Sequence, residues 1–310
     1  MDNADKVVLK DFNSIRDSLQ ALSPKTLVVA AAHDEHTLEA VFTAAKMLPM
    51  RYILVGDRNK IVEISAELGA SVAEGAIVDC ADVDNARTSV SIIREGRGDV
   101  LMKGIIETGT LMKAVLDRDS GIRDSSVISH IAVMEVPNYH KLIVITDGGI
   151  ITNPLLHQKA EMVRNAVSFL GRIGLSRPKV AALCALESVS DKMPETADAA
   201  ELQAMCERGE LGDCILEGPI SFDIAIQPDA AKVKGSLSKI TGDVDVLLVP
   251  NISAGNILVK SLTSWSGAKL AGCVAGARAP IVLVSRGSSA EEKYLSILLC
   301  LRAGTQGIDR

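Results

Sequence analysis

The stretch 26–56, TLVVAAAHDEHTLEAVFTAAKMLPMRYILVG, decides how the rest of the chain is read. Residues 26–32 form an apolar run of strand length, 35–47 carry apolar residues at helical spacing, and 51–56 are strand-like again. An apolar run without alternation suits a strand covered on both faces, and two such strands joined by a helix form a parallel pair. The same alternation continues outward. It gives a helix at 59–68, a short strand at 100–103 that stops at Gly104, and a helix at 108–116. Two strands, 127–136 and 141–146, then follow one another across the Pro137-Asn138 turn, ahead of a long helix at 156–175. Further strands are expected at 179–184, 213–217, 244–249, 269–274 and 280–284, with helices at 194–207, 255–265 and 290–302. The pattern predicts an α/β protein with mainly parallel sheets.

A chain of 310 residues has room for two such domains and buries a full core without disulfides. Hydrophobic residues make up 47% and aromatics only 3%, so Val, Ile, Leu and Ala build the core and no ring platform for stacked bases is expected. The net charge of −6 comes from interspersed charges without a basic tract, which argues against a nucleic-acid or anionic-membrane partner. The polar N-terminus and the lack of a long apolar run predict a cytoplasmic protein. Six cysteines without a C-x-x-C pair read as small buried hydrophobes in a reducing compartment.

In open parallel sheets, ligands meet the carboxyl ends of strands, where loops run into helix N-termini. Four segments qualify. In VLVSRGSSAEE (282–292) a strand ends at Ser285-Arg286 and a helix starts near Ser288 or Ser289, so free N–H groups and a guanidinium fork would form a phosphate site. Ser288 with Glu291, or Ser289 with Glu292, also fits a capping box, which needs no chemistry. Lys103 ends a strand where it could meet an anion, and Gly104 lets a ligand approach the backbone; Thr108 and Lys113 follow on the next helix. The segment 144–149 with Asn153-Pro154 is ordinary turn chemistry on its own. In 249–256, Asn251, Gly255 and Asn256 stand at a helix start, and Ser253 as an N-cap is the alternative that needs no chemistry.

No Walker, G-x-G-x-x-G or G-x-S-x-G motif is present, which disfavours an NTPase, a Rossmann dehydrogenase and a serine acyl-enzyme. His33-Asp34-Glu35-His36 reads as a helix-start cluster in preference to a metal site.

The stretches ESVSDKMPET (187–196) with Asp198-Ala199-Ala200, EGPISFD (217–223), Gly255-Asn256 and APIVLVSR (279–286) together resemble the phosphate acetyl/butyryltransferase family, closest to its butyryl branch. The resemblance runs from about 26 to 303. It implies two α/β domains of the isocitrate/isopropylmalate dehydrogenase-like fold with the active site in the cleft between them. Residues 1–140 plus 286–310 would form one domain and 141–285 the other, the final helix returning to the N-terminal domain. It implies reversible transfer of a butyryl or other short acyl group between coenzyme A and phosphate, with coenzyme A as substrate, no cofactor, no metal, and a homodimer or larger homo-oligomer.

By the same resemblance Arg286 and Ser285 would stabilise oxyanion or phosphate. Glu292 would take the place of the Asp that deprotonates the thiol in acetyl members, with Glu291 a rival. Lys113 or Arg123 would replace a second phosphate-contacting Arg. Lys103, Gly104, Thr108, Lys113, Ser129, Asn251, Gly255 and Asn256 are the expected substrate-binding residues. The competing readings are an acetyl-specific enzyme, a PlsX-like acyl-ACP:phosphate acyltransferase, a metal-using pyridoxine-pathway dehydrogenase, and a non-catalytic acyl-CoA-binding module. His130, His140 and His157 make no convincing metal set for the dehydrogenase.

Overall fold

The computed structural model describes residues 9–284 and 287–304. The chain divides into two compact units: Phe12–Ser126 with the segment from Ala271 onward, and Val127–Leu270 with the segment ending at Asp11.

The first unit opens with α1 (Phe12–Gln20), β1 (Lys25–Ala30), α2 (Glu35–Met47), β2 (Met50–Gly56) and α3 (Arg58–Glu67). It continues with β3 (Ile77–Asp79), α4 (Asn85–Arg94), β4 (Val100–Lys103) and α5 (Thr108–Val115). The second unit holds β5 (Ser129–Glu135), β6 (Ile143–Thr146), α6 (Leu156–Arg172), β7 (Lys179–Leu183) and α7 (Pro194–Glu207). It also holds β8 (Ile215–Ile220), the short helices α8 (Phe222–Ile226) and α9 (Pro228–Val233), β9 (Val246–Leu248) and α10 (Ile252–Ser266). The chain then returns to the first unit through β10 (Lys269–Ala275), β11 (Ile281–Val282) and α11 (Ala290–Ala303).

In the first unit the strand order is β3-β2-β1-β4-β11-β10. All neighbours are parallel except β11 and β10. β1 sits mid-sheet, with Val29 beside Leu54 of β2 on one side and Met102 of β4 on the other. Leu27, Val28 and Val29 are fully buried, as the unbroken apolar run requires. α11 packs on α1 and α2.

In the second unit the order is β5-β6-β9-β7-β8, parallel except for the β5/β6 pair. Its core gathers Met134, Ile145, Leu247 and Ile224, among others. Below the strands, Lys141 and Lys179 converge on two aspartates. Lys141 Nζ lies 2.6 Å from Asp245 Oδ1 and 2.7 Å from Asp243 Oδ1, and Lys179 Nζ lies 2.6 Å from Asp243 Oδ2.

Several expectations are corrected in detail. β5 and β6 pair antiparallel, with Ala132 opposite Ile145 and Met134 opposite Ile143, and both belong to the second unit. The chain passes between units at 11/12, 126/127 and 270/271, where the resemblance implied 140/141 and 285/286. The helix expected at 255–265 starts at Ile252, because Asn251 is its N-cap and accepts from Ala254 N–H at 3.0 Å. Ser253 instead lies exposed in the first turn. Helices α1, α4, α8 and α9 and strand β3 were not anticipated. Among the described residues no helix is long and apolar enough to cross a membrane.

Candidate active site

In the first unit, the carboxyl ends of β4 and β11 and the start of α2 line a cavity of about 260 Å³. Asp34 starts α2 by accepting from Thr37 N–H at 2.9 Å and from the Thr37 hydroxyl at 2.6 Å, and His33 faces Asp82 at 3.4 Å. The His33–His36 cluster is thus built as a helix start. Asp34, His36 and Thr37 line the cavity together with Lys103, Gly104 and Lys293.

Lys103 ends β4 as expected, and its ammonium donates to the carbonyls of Gly104 and Ile106, each at 3.1 Å. Gly104 is glycine for a reason internal to the fold. A Cβ there would lie 2.2 Å from the Ala31 carbonyl oxygen and 2.7 Å from that of Ala30. That approach seats the loop after β4 on the end of β1, through Gly104 N–H to Ala30 at 2.9 Å.

A second cavity, about 220 Å³, shares His36 and Lys293 with the first and adds Gly287 and Ser288. Ser285 and Arg286 lie outside the described residues. Their neighbours Val284 and Gly287 line the first and second cavities respectively. At the start of α11, Ser289 is the N-cap, accepting from Glu292 N–H at 3.1 Å. The Glu292 carboxylate does not close a capping box with Ser289. It accepts from the Ser288 hydroxyl at 2.6 Å, at the edge of the second cavity. Thr108, Lys113 and Arg123 are exposed and line neither cavity.

The other expected residues gather in the second unit. Asp147, at the carboxyl end of β6, is buried and accepts three backbone N–H bonds: from His130 at 2.8 Å, Gly149 at 2.7 Å and Ile150 at 2.8 Å. The Thr146 hydroxyl donates to the His130 carbonyl at 2.9 Å. Burial pushes the His130 imidazole below the ordinary histidine range, against the opposing pull of Asp147.

α10 abuts this loop. A Cβ on Gly255 would lie 2.9 Å from both the Asp147 carbonyl oxygen and Gly148 Cα, and Asn256 Nδ2 donates to the Gly148 carbonyl at 3.2 Å. Gly255 and Asn256 therefore form the joint between α10 and the 146–149 loop, while Asn251 caps the helix ahead of them. Ser129 is fully buried and accepts from Asn165 Nδ2 at 3.1 Å, so it braces β5 against α6. Asp147 is the residue the sequence concealed, because Asp-Gly after a strand is common in turns.

The two longest motifs also meet in this unit. Glu187 Oε1 accepts from the Ser221 hydroxyl at 2.5 Å, and Lys234 lies 3.0 Å from Glu187 and 2.9 Å from Asp223. The Ser221 hydroxyl and the Lys234 ammonium hold the Asp223 carboxyl down, to about 2. Lys234 lies outside both motifs and carried no signal in the sequence.

The model of the phosphate acetyl/butaryl transferase family matches residues 78–301. Phosphate butyryltransferase of Clostridium acetobutylicum is 39% identical over 293 residues, covering 94% of this chain and 97% of the relative. Phosphate acetyltransferase of Thermotoga maritima is also 39% identical, covering 89% and 94%. Among solved structures, a branched-chain phosphotransacylase from Enterococcus faecalis superposes with a TM-score of 0.80 at 32% identity, covering 90% of this chain and 98% of that one. With a family match over most of its length and relatives of this identity, the chain belongs to the phosphate acetyl/butaryl transferase family.

Proposed function

We propose that this chain catalyses acyl-CoA + phosphate ⇌ acyl phosphate + CoA, with a butyryl or other short acyl group. The observation that carries this reading is the near full-length identity to phosphate acyltransferases. The strand-end cavities lined by Val284 and by Gly287 are consistent with it.

In the direction of acyl-CoA synthesis, Glu292 takes the thiol proton, the sulfur attacks the acyl-phosphate carbonyl, and phosphate leaves as the tetrahedral oxyanion collapses. A thiol of pKa ~8.5 is mostly protonated at neutral pH, so a positioned carboxylate raises the thiolate fraction. The Ser288 hydroxyl holds one Glu292 oxygen, and the other is assigned to the thiol. Arg286 and Ser285 stabilise the oxyanion and the departing phosphate. Preorganised donors of this kind contribute ~3–4 kcal/mol each. Lys103, at the end of β4 in the same unit, supplies positive field for the phosphates of either substrate. The scheme needs neither cofactor nor metal.

The equal identity of the Thermotoga acetyltransferase favours acetyl transfer as the second reading. A thiol-release assay with phosphate and acetyl-, butyryl- or isobutyryl-CoA tests both at once. Release with none of them would leave the acyl-CoA-binding module as the surviving reading.

We place the reaction in the cytoplasm, a reading supported by six cysteines that are all free thiols. A homo-oligomer is supported by α10, which leaves Ile257 65% and Trp265 88% exposed.

A further inference from the structure

A cavity of about 610 Å³ in the second unit lies along β8 and is lined by none of the residues assigned to the reaction. Two of its lining residues are Cys206, in the last turn of α7, and Cys214, just ahead of β8. Their sulfurs lie 3.6 Å apart, and Cys206 Sγ also points at the Cys214 carbonyl at 3.5 Å. We propose that Cys206 and Cys214 are a thiol–disulfide modification site, oxidised by a hydroperoxide that reaches them through this cavity.

The geometry supports the pair in three ways. The sulfurs already stand in van der Waals contact at 3.6 Å, against the ~2.05 Å of a formed disulfide. Cys206 is partly exposed while Cys214 is nearly covered, which separates an attacking from a resolving thiol. Burial, aided by the neighbouring Cys206, pushes the Cys214 thiol up to about 12, consistent with the resolving role. Cys273 and Cys300, which also contact each other, are both fully buried in the first unit and offer an internal control.

The step balances. Cys206 loses its proton and its sulfur attacks one peroxide oxygen, breaking the O–O bond to give a sulfenic acid and one water. The Cys214 sulfur then displaces the hydroxyl from that sulfenic acid, which leaves as a second water with the Cys214 proton. Two thiols are oxidised to one disulfide and the peroxide is reduced to two waters. The new bond ties the end of α7 to the start of β8, which carry the end of the 187–196 motif and the start of the 217–223 motif respectively.

The test treats the whole protein with hydrogen peroxide under native conditions, blocks remaining thiols with iodoacetamide, and digests without reduction. Trypsin cuts after Arg208, so Cys206 falls in 193–208 and Cys214 in 209–232. The expected product is one cross-linked peptide pair, lighter by the two lost hydrogens and released by dithiothreitol. Cys206→Ser and Cys214→Ser should each abolish it, while Cys273 and Cys300 stay alkylatable only after denaturation. The oxidised wild type should also melt a few degrees higher than the reduced protein, a shift absent from Cys206→Ser. Oxidation of Cys206 to sulfinic acid without a cross-link overturns the proposal. So does preferential oxidation at Cys80, or no reaction at peroxide levels that oxidise free glutathione.

Discussion

Ser288 Oγ donates a 2.6 Å hydrogen bond to Glu292 Oε1, while the N-cap bond of α11 runs from Glu292 N–H to Ser289. The carboxylate and the helix cap therefore depend on different serines, and substitution separates them. Glu292→Gln keeps the cap and still accepts from Ser288. Loss of the base should lower kcat by roughly 10²–10⁴ with a nearly unchanged melting temperature. Ser289→Ala should do the reverse, costing about 1 kcal/mol of stability and little rate. If Glu291→Gln is the slow variant, the base sits one residue earlier; if both glutamine variants run near wild type, thiol deprotonation does not pass through this helix.

Arg286→Ala should lower turnover by roughly a hundredfold or more at saturating acyl-CoA and phosphate, as removal of an oxyanion donor does. Circular dichroism and melting temperature should stay at wild-type values. Turnover within a few-fold of wild type would remove Arg286 from the mechanism.

Butyryl-CoA should show a higher kcat/KM than acetyl-CoA. Each buried methylene contributes ~0.8 kcal/mol, so two could raise the ratio by roughly tenfold. A clear preference for acetyl-CoA would sink the butyryl reading and leave the phosphate acyltransfer intact.

Acid should weaken the second unit through Asp243. Burial opposes its ionisation, but hydrogen bonds and charge from Lys141 and Lys179 prevail and hold its carboxyl below the usual carboxylate range. A depressed folded pKa adds stability that is fully present above the unfolded value of ~3.9 and is lost as pH falls below it. Melting curves of wild type and Asp243→Asn should therefore differ at pH 7 and converge toward pH 2. A constant gap across that range would show that the aspartate contributes by shape and not by charge.

Gly104→Ala should be poorly tolerated, because its Cβ would meet two backbone oxygens that cannot yield cheaply. Overpacking of this kind costs typically 1–3 kcal/mol. Denaturant unfolding should show that loss; a neutral variant would mean that the β4 loop gives way easily.

The alternation of strands and helices was legible because parallel strands covered on both faces are written as continuous apolar runs. Helices 35–47 and 194–207 and strand 100–103 have the expected bounds. Helix α4 escaped because its apolar stripe of Ala86, Val90 and Ile93 is diluted by Asn, Arg, Thr and Ser, and β3 because three residues show no period. Gly104 was legible as a place of close approach, but not what approaches, which is the chain's own backbone; Gly255 was legible only as part of a helix start. Ser253 was the cap legible on paper, but the extended backbone lies at Asn251, which caps the helix instead. Asp147 and Lys234 draw their partners from distant segments, from His130 in one case and Glu187 in the other, which no local spacing encodes.

The loop after β6 is held from within by Asp147 and from outside by the bare backbone of Gly255. Although it is a loop, its Gly149 and Ile150 amides should exchange with solvent deuterium as slowly as those of a strand. A ligand arriving there meets a mould that has already set, and none of its binding free energy is diverted into ordering the chain beneath it.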